Sequence, residues 1–411
     1  MNKQHKKLKM ACYTVNVTMA VVGNISPLLF LTFREQYGIS YSLLGMLVVI
    51  NFATQLGIDL VFSFFSHKFN IPKVVRAMPL LTFIGLSIFA FWPLVFPKLA
   101  YLGIAIGTVI FSASSGLAEV LISPIIASIP AKDPDREMSK LHSVYAWGVV
   151  GVVVISTLYL LVFGKENWNW LICIYLLLPI LSSILFGTVE ITCVHSPEKT
   201  SDTLKLYKNP MLWVSVVGLF LGGATEVTMA QWSSSYLEYA MNIPKVWGDI
   251  FGVALFGVTL GLGRSLYGKF GKNITRVLLV SAIGATGCYL IAGISNNAIV
   301  GLIACAFTGF CASMMWPGGL VVATNHFPSG GVVVFALMAA GGDMGASVGP
   351  QLVGVITDFA TTNQWAINFA KSLSLTPDRF GMKLGMLSGM LFPLFGIIIY
   401  AILHKHRKKD H

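Results

Sequence analysis

The chain has 411 residues, of which 55% are hydrophobic and 11% charged, with a formal net charge of +11 from 28 Lys+Arg and 17 Asp+Glu. A soluble domain carries about 25% charged residues, so there are too few here to cover a water-exposed globule. That excludes an ordinary cytosolic enzyme, a disordered chain and a nucleic-acid binder. Forty Gly and 17 Pro are tolerable inside helices where neighbouring helices fill and satisfy the gaps, as in membrane bundles. The six Cys show no CxxC spacing, so neither a zinc site nor a disulfide framework is expected.

A membrane-spanning helix needs about 20 mostly apolar residues. Twelve segments qualify: 10–33, 41–66, 74–96, 98–129, 140–164, 169–194, 209–238, 246–268, 275–294, 297–325, 331–357 and 380–404. The first is too long for a signal peptide, holds Asn16 and Asn24, and lacks a small-residue cleavage site. An even helix count puts both termini on one side. Twenty-one Lys and Arg fall at the termini and the even-to-odd connections, and seven on the opposite side. The positive-inside rule then places both termini in the cytoplasm. This count leaves no Lys or Arg for a helix centre.

The longest interior polar stretch, HSPEKTSDTLKLYK at 195–208, divides the chain into an N-terminal six-helix bundle (1–194) and a C-terminal one (209–411). The halves echo each other: LGIDLVFSFFSHK (56–68) corresponds in position and character to LGLGRSLYGKFGK (260–272). Each begins with Leu-Gly late in the second helix of its half and ends in a short basic loop. Parallel six-helix repeats of this kind are a transporter architecture.

On these residues the sequence resembles the major facilitator superfamily. The resemblance implies an all-α membrane protein with 12 transmembrane helices in two six-helix pseudo-repeats. It also implies a cytoplasmic gate motif, degenerate in the first half at Asp59 and better kept in the second at Gly261, Arg264, Gly268 and Lys272. More narrowly, AEVLISP (118–124), LHSVYAWG (141–148), ATEVTMAQWSS (224–234) and GGDMGASVGP (341–350) resemble the fucose-permease-like sugar:proton symporters. That branch carries an Asp on its first helix where GNISP (23–27) stands here.

Three carboxylates fall inside apolar segments, where an ionisable group is a functional-site hypothesis by default. Glu119 shares one stripe of the fourth helix with Thr108, Ser112, Ser115 and Ser123, a pattern that suits a wet or protein-lined face. Glu226 lies near the middle of the seventh helix, on a stripe with Ser215, Gly222 and Ser233. Without a fixed cation beside it, this carboxyl is expected to be neutral and a proton carrier. Asp343 is at the centre of the eleventh helix, turned away from a Gly341, Gly345, Gly349 ridge that invites close approach of a neighbouring backbone.

Candidate solute contacts are Asn24 on the first helix, Asn51 and Gln55 on the second, Ser115, Gln231, Trp232 and Trp316. Pro317-Gly318-Gly319 is expected to break the tenth helix beside Trp316. Asp59, nearest the cytoplasmic end of its helix, reads as a structural latch, and His142 as a structural residue. HEXXH and P-loop motifs are absent, so no enzyme chemistry is expected.

The leading reading is a secondary active transporter working by alternating access, coupled to protons and taking up a small neutral hydroxylated solute such as a sugar. The rivals are a drug or metabolite:proton efflux antiporter and a non-transporting membrane sensor. No metal or cofactor is expected; the proton gradient is the energy source. The expected partners are the solute, the proton and the lipid bilayer of the cell membrane, without nucleic acid, and the chain is expected to act as a monomer.

Overall fold

A computed structural model describes residues 3–39, 41–191 and 206–406. Most of the expected linker, Cys193 and the last basic residues lie outside these. The twelve expected segments are helical. α1 is Lys3–Leu28, continued by Phe30–Tyr37. α2 is Tyr41–Phe65, α3 Ile71–Val95, α4 Ala100–Ser128 and α5 Pro134–Phe163. α6 runs in two pieces, Trp168–Tyr175 and Leu177–Gly187. α7 is Pro210–Tyr239. α8 comprises Lys245–Gly248, a wider π turn at Asp249–Ala254, and Leu255–Phe270. α9 is Ile274–Ile294, and α10 is split into Ala298–Ala312 and Met315–His326. α11 is Gly331–Thr362, and α12 runs as Pro377–Gly389 and Leu391–Lys405. A short helix not foreseen from hydropathy, Gln364–Ser372, precedes α12. No strand occurs among the described residues.

Eleven helices among the described residues are long and apolar enough to cross a membrane. α1 misses that threshold because Asn16, Asn24 and several threonines dilute its apolar run. Large apolar side chains such as Leu161, Val162 and Ile299 stand exposed on the helix surfaces, as a lipid-facing surface requires.

Helix starts follow local chemistry. Asn70, Asp133, Asn209 and Thr376 each accept a backbone N–H at an N-cap, and each is followed by a proline in the first turn. Proline lacks only an N–H that would have been orphaned there anyway.

The contacts divide the chain into two compact units: Met1–Leu206 with Ser329–Ala339, and Tyr207–Pro328 with Ala340–His411. In the first, α3 meets α4 backbone to backbone, so that a Cβ on Gly107 would lie 2.7 Å from Gly85 O. Phe33, Phe89, Phe111 and Trp168 form an edge-to-face cluster with centroids 5.0–6.0 Å apart, a favoured quadrupole geometry. In the second, three buried tyrosines close on helix carbonyls: Tyr236 on Ala292 O at 2.6 Å, Tyr289 on Thr225 O at 2.8 Å and Tyr400 on Gly218 O at 2.7 Å. Each hydroxyl is thereby satisfied away from water.

The expected glycine ridge of α11 packs on α7. A Cβ on Gly345 would overlap Phe220 O; one on Gly341 would lie 3.0 Å from Val216 O, and one on Gly349 2.9 Å from Ala224 O. The facing residues Val216, Phe220 and Ala224 recur every four positions, so one ridge of α7 follows the groove of α11.

Candidate functional site: a buried ion pair and two polar stripes

The second unit holds a charge pair inside the bundle. Proline 317 has no N–H, so the carbonyl of Ser313, four residues earlier, has no helical donor. α10 breaks there, across Ser313–Met314, one turn before the expected Pro317-Gly318-Gly319. Those three residues lie within the resumed helix and are buried. The freed Ser313 carbonyl accepts Arg264 Nε at 2.9 Å. Neighbouring Gly263 permits this approach, since a Cβ there would sit 2.7 Å from Ser313 Cβ.

Arg264 then points a terminal nitrogen, Nη2, at both oxygens of Glu226, 2.8 Å from Oε1 and 2.7 Å from Oε2. The Arg264 side chain is 2% exposed and that of Glu226 14%. A guanidinium so placed favours the ionised carboxylate, and such charge-assisted bonds are about twice as strong as neutral ones.

This corrects two expectations. Glu226 has a fixed cation, so it is not the isolated neutral carboxyl described above. Arg264 belongs to the interior of α8 and not to the loop after it. Of the other gate-motif residues, Gly261 and Gly268 are buried in α8, while Lys272 stands exposed beyond its end. Asp59 is fully buried on α2.

Asp343 is buried on α11 at 6% exposure; the Ser347 hydroxyl donates to its main-chain oxygen at 2.9 Å. The two tryptophans named as candidate solute contacts also pack within the bundle. Trp232 donates its indole N–H to Pro350 O at 2.9 Å, joining α7 to α11. Trp316 lies against Gly342 and Gly223; a Cβ on Gly342 would meet its Cζ3 at 2.6 Å. Gln231 is exposed on α7.

In the first unit, the α4 stripe is largely internal. Thr108 and Ser112 are fully buried, Ser115 and Ser123 nearly so, and Glu119 is half-buried. The Ser112 hydroxyl donates to Asn51 Oδ1 at 2.5 Å, tying α4 to α2. Gln55, also buried, reaches back to Asn51 O at 3.5 Å. Gly116 brings the two helices together beside it, a Cβ there lying 3.1 Å from Gln55 Cα. Asn24 is half-buried and donates to Ala20 O at 2.8 Å. Ser123 and His142 Nε2 are 3.5 Å apart.

Lys9, 8% exposed, pairs with Glu137 at 2.6 Å, and Glu137 also meets Lys140 at 2.9 Å. Lys9, near the start of α1, is thus a buried link to α5. Among the described residues no three His, Cys, Asp or Glu side chains converge as metal ligands would.

The family model of the Major Facilitator Superfamily matches residues 11–350. The structure is similar to a variant of the E. coli fucose:proton symporter FucP, at a TM-score of 0.75 and 14% identity over 98% of both chains. A second FucP structure, in the outward conformation, gives 0.76 and 13% identity over 98% of this chain and 99% of that one. The proton:xylose symporter XylE bound to 6-bromo-6-deoxy-D-glucose gives 0.70 and 15% identity over 95% of each. No curated protein matches by sequence. With twelve helices in this arrangement and a family match spanning most of its length, the chain belongs to the Major Facilitator Superfamily and is a multi-pass membrane transporter, not an enzyme.

Proposed function

We propose that this transporter couples proton movement to uptake of a small, neutral, hydroxylated solute of the sugar class by alternating access. The observation that carries the reading is the buried Glu226–Arg264 pair. A carboxylate held by one guanidinium inside a bundle has two stable arrangements. Ionised, it keeps Arg264 on α7. Protonated, it loses most of that attraction and frees Arg264 to turn fully to the Ser313 carbonyl or to a solute hydroxyl. Proton binding at Glu226 thereby changes what ties α7 to α8. Glu119 and Asp343 stand as further proton-coupling carboxylates.

Solute recognition falls to the amides of Asn24, Asn51, Gln55 and Gln231 and the hydroxyl of Ser115, with Trp232 and Trp316 as supports. The Arg264 guanidinium is already paired with Glu226, which favours an uncharged solute. The names of the FucP and XylE neighbours support the same class. The transporter acts as a monomer in the cell membrane, with both termini cytoplasmic and no cofactor besides the proton gradient.

The test uses purified protein in proteoliposomes with an imposed pH gradient and a panel of labelled monosaccharides. Accumulation of one of them, collapsed by a protonophore and lost in Glu226→Gln, is the expected result. PH-driven accumulation that survives in Glu226→Gln removes that residue from coupling. Transport of cationic drugs in place of sugars overturns the solute class.

A further inference from the structure

At the start of α12, in the second unit, two cations converge on one neutral oxygen. Lys383 of α12 is 6% exposed and donates to Asn296 Oδ1 at 2.5 Å. Arg379, one turn earlier, reaches the same oxygen with Nη2 at 3.5 Å. Its Nε is buried with no hydrogen-bond partner. Among the described residues no carboxylate pairs with either side chain. Both stand in the first turns of α12, where the helix dipole adds positive charge. A buried ammonium beside a half-buried guanidinium, with one amide oxygen between them, is costly unless an anion joins them.

A second observation indicates where that anion comes from. The short helix Gln364–Ser372 is amphipathic. Ala366 and Ala370 are buried, whereas Trp365, Phe369 and Leu373 are 69%, 44% and 51% exposed. Trp365 and Phe369 stack at 5.6 Å, and Phe369 meets Phe380 of α12 at 5.8 Å, next to Arg379. An apolar stripe led by Trp on such a helix lies in the membrane interface, at headgroup level. The cation pair is therefore held beside a surface suited to the phosphate layer.

We propose that Arg379, Lys383 and Asn296 form a phosphate site that takes the headgroup of an anionic phospholipid. The two cations bind the phosphate oxygens, and Trp365, Phe369 and Leu373 lie among the upper acyl chains. The test is native mass spectrometry of the full-length protein in detergent, titrated with phosphatidylglycerol or phosphatidylcholine, with inorganic phosphate as competitor. The wild type is expected to retain phosphatidylglycerol over phosphatidylcholine. Arg379→Gln should weaken the former about tenfold, as expected for loss of one charge-assisted hydrogen bond. Lys383→Gln should act in the same direction; if it fails to fold, the more exposed Arg379 position decides alone. Unchanged phosphatidylglycerol binding in Arg379→Gln overturns the site. Displacement of the lipid by equimolar inorganic phosphate overturns the lipid assignment in favour of a soluble oxyanion.

Discussion

Replacing Glu226 by Gln strips the charge from the buried pair while keeping its size. Arg264 stays 2% exposed, with Nε still on Ser313 O, but it loses the two charge-assisted bonds to Glu226. Breaking a buried pair from one side costs about 3–5 kcal/mol, a large part of a typical total of roughly 5–15 kcal/mol. Changing both residues, Glu226→Gln with Arg264→Met, removes the buried charge altogether. What remains is the Ser313 carbonyl, which Pro317 cannot serve, at about 1–3 kcal/mol. The double variant is therefore expected to be more stable than Glu226→Gln alone by about 2 kcal/mol. Equilibrium unfolding in mixed micelles, followed by tryptophan fluorescence, measures both. A double variant less stable than the single one refutes the claim that the pair is held together by compensating charge.

Adding Pro317→Ala to the double variant returns an N–H to Ser313 O and is expected to recover about 1 kcal/mol in the same unfolding assay. Gly345→Ala pushes a methyl into Phe220 O and is expected to cost about 1–3 kcal/mol. Gly57→Ala, which meets nothing within 4 Å, is expected to gain up to about 1 kcal/mol from helix propensity; thermal melts of the two should move in opposite directions. Trp232→Phe loses the bond to Pro350 O and should cost about 1 kcal/mol and raise KM for the solute; an unchanged KM would remove Trp232 from solute recognition. A fluorescent reporter fused at the C-terminus should report the cytoplasm, and a signal from the other side contradicts the charge asymmetry.

The helices were legible because lipid imposes one requirement on every span, and a run of apolar residues declares it. The α11 ridge was legible for a similar reason. Glycines spaced every four residues leave a groove whatever the neighbour is, and only the identity of that neighbour, α7, had to come from the fold. Arg264 was read as a gate-motif residue, but its place inside the bundle was not, because it lies five residues before Lys269 and a tally by segment ends puts it in the loop. The signal that could have found it is Pro317: a proline inside an apolar helix leaves the carbonyl four residues earlier without a donor and invites a cation from another helix. Trp316 shows a different limit: an indole beside a helix break has the chemistry of a stacking platform, and its packing against Gly342 and Gly223, on two other helices, could not be read from the sequence.

At Gly345, where α11 crosses α7, the two backbones meet directly. There is no cushion there to compress and no rotamer to flip, so these two helices must travel as a single strut. Any bending during the transport cycle falls to spans whose internal ladder is already interrupted. Two of those are α8 with its wide turn, which carries Arg264, and α10 at its break, which carries the Ser313 carbonyl it binds.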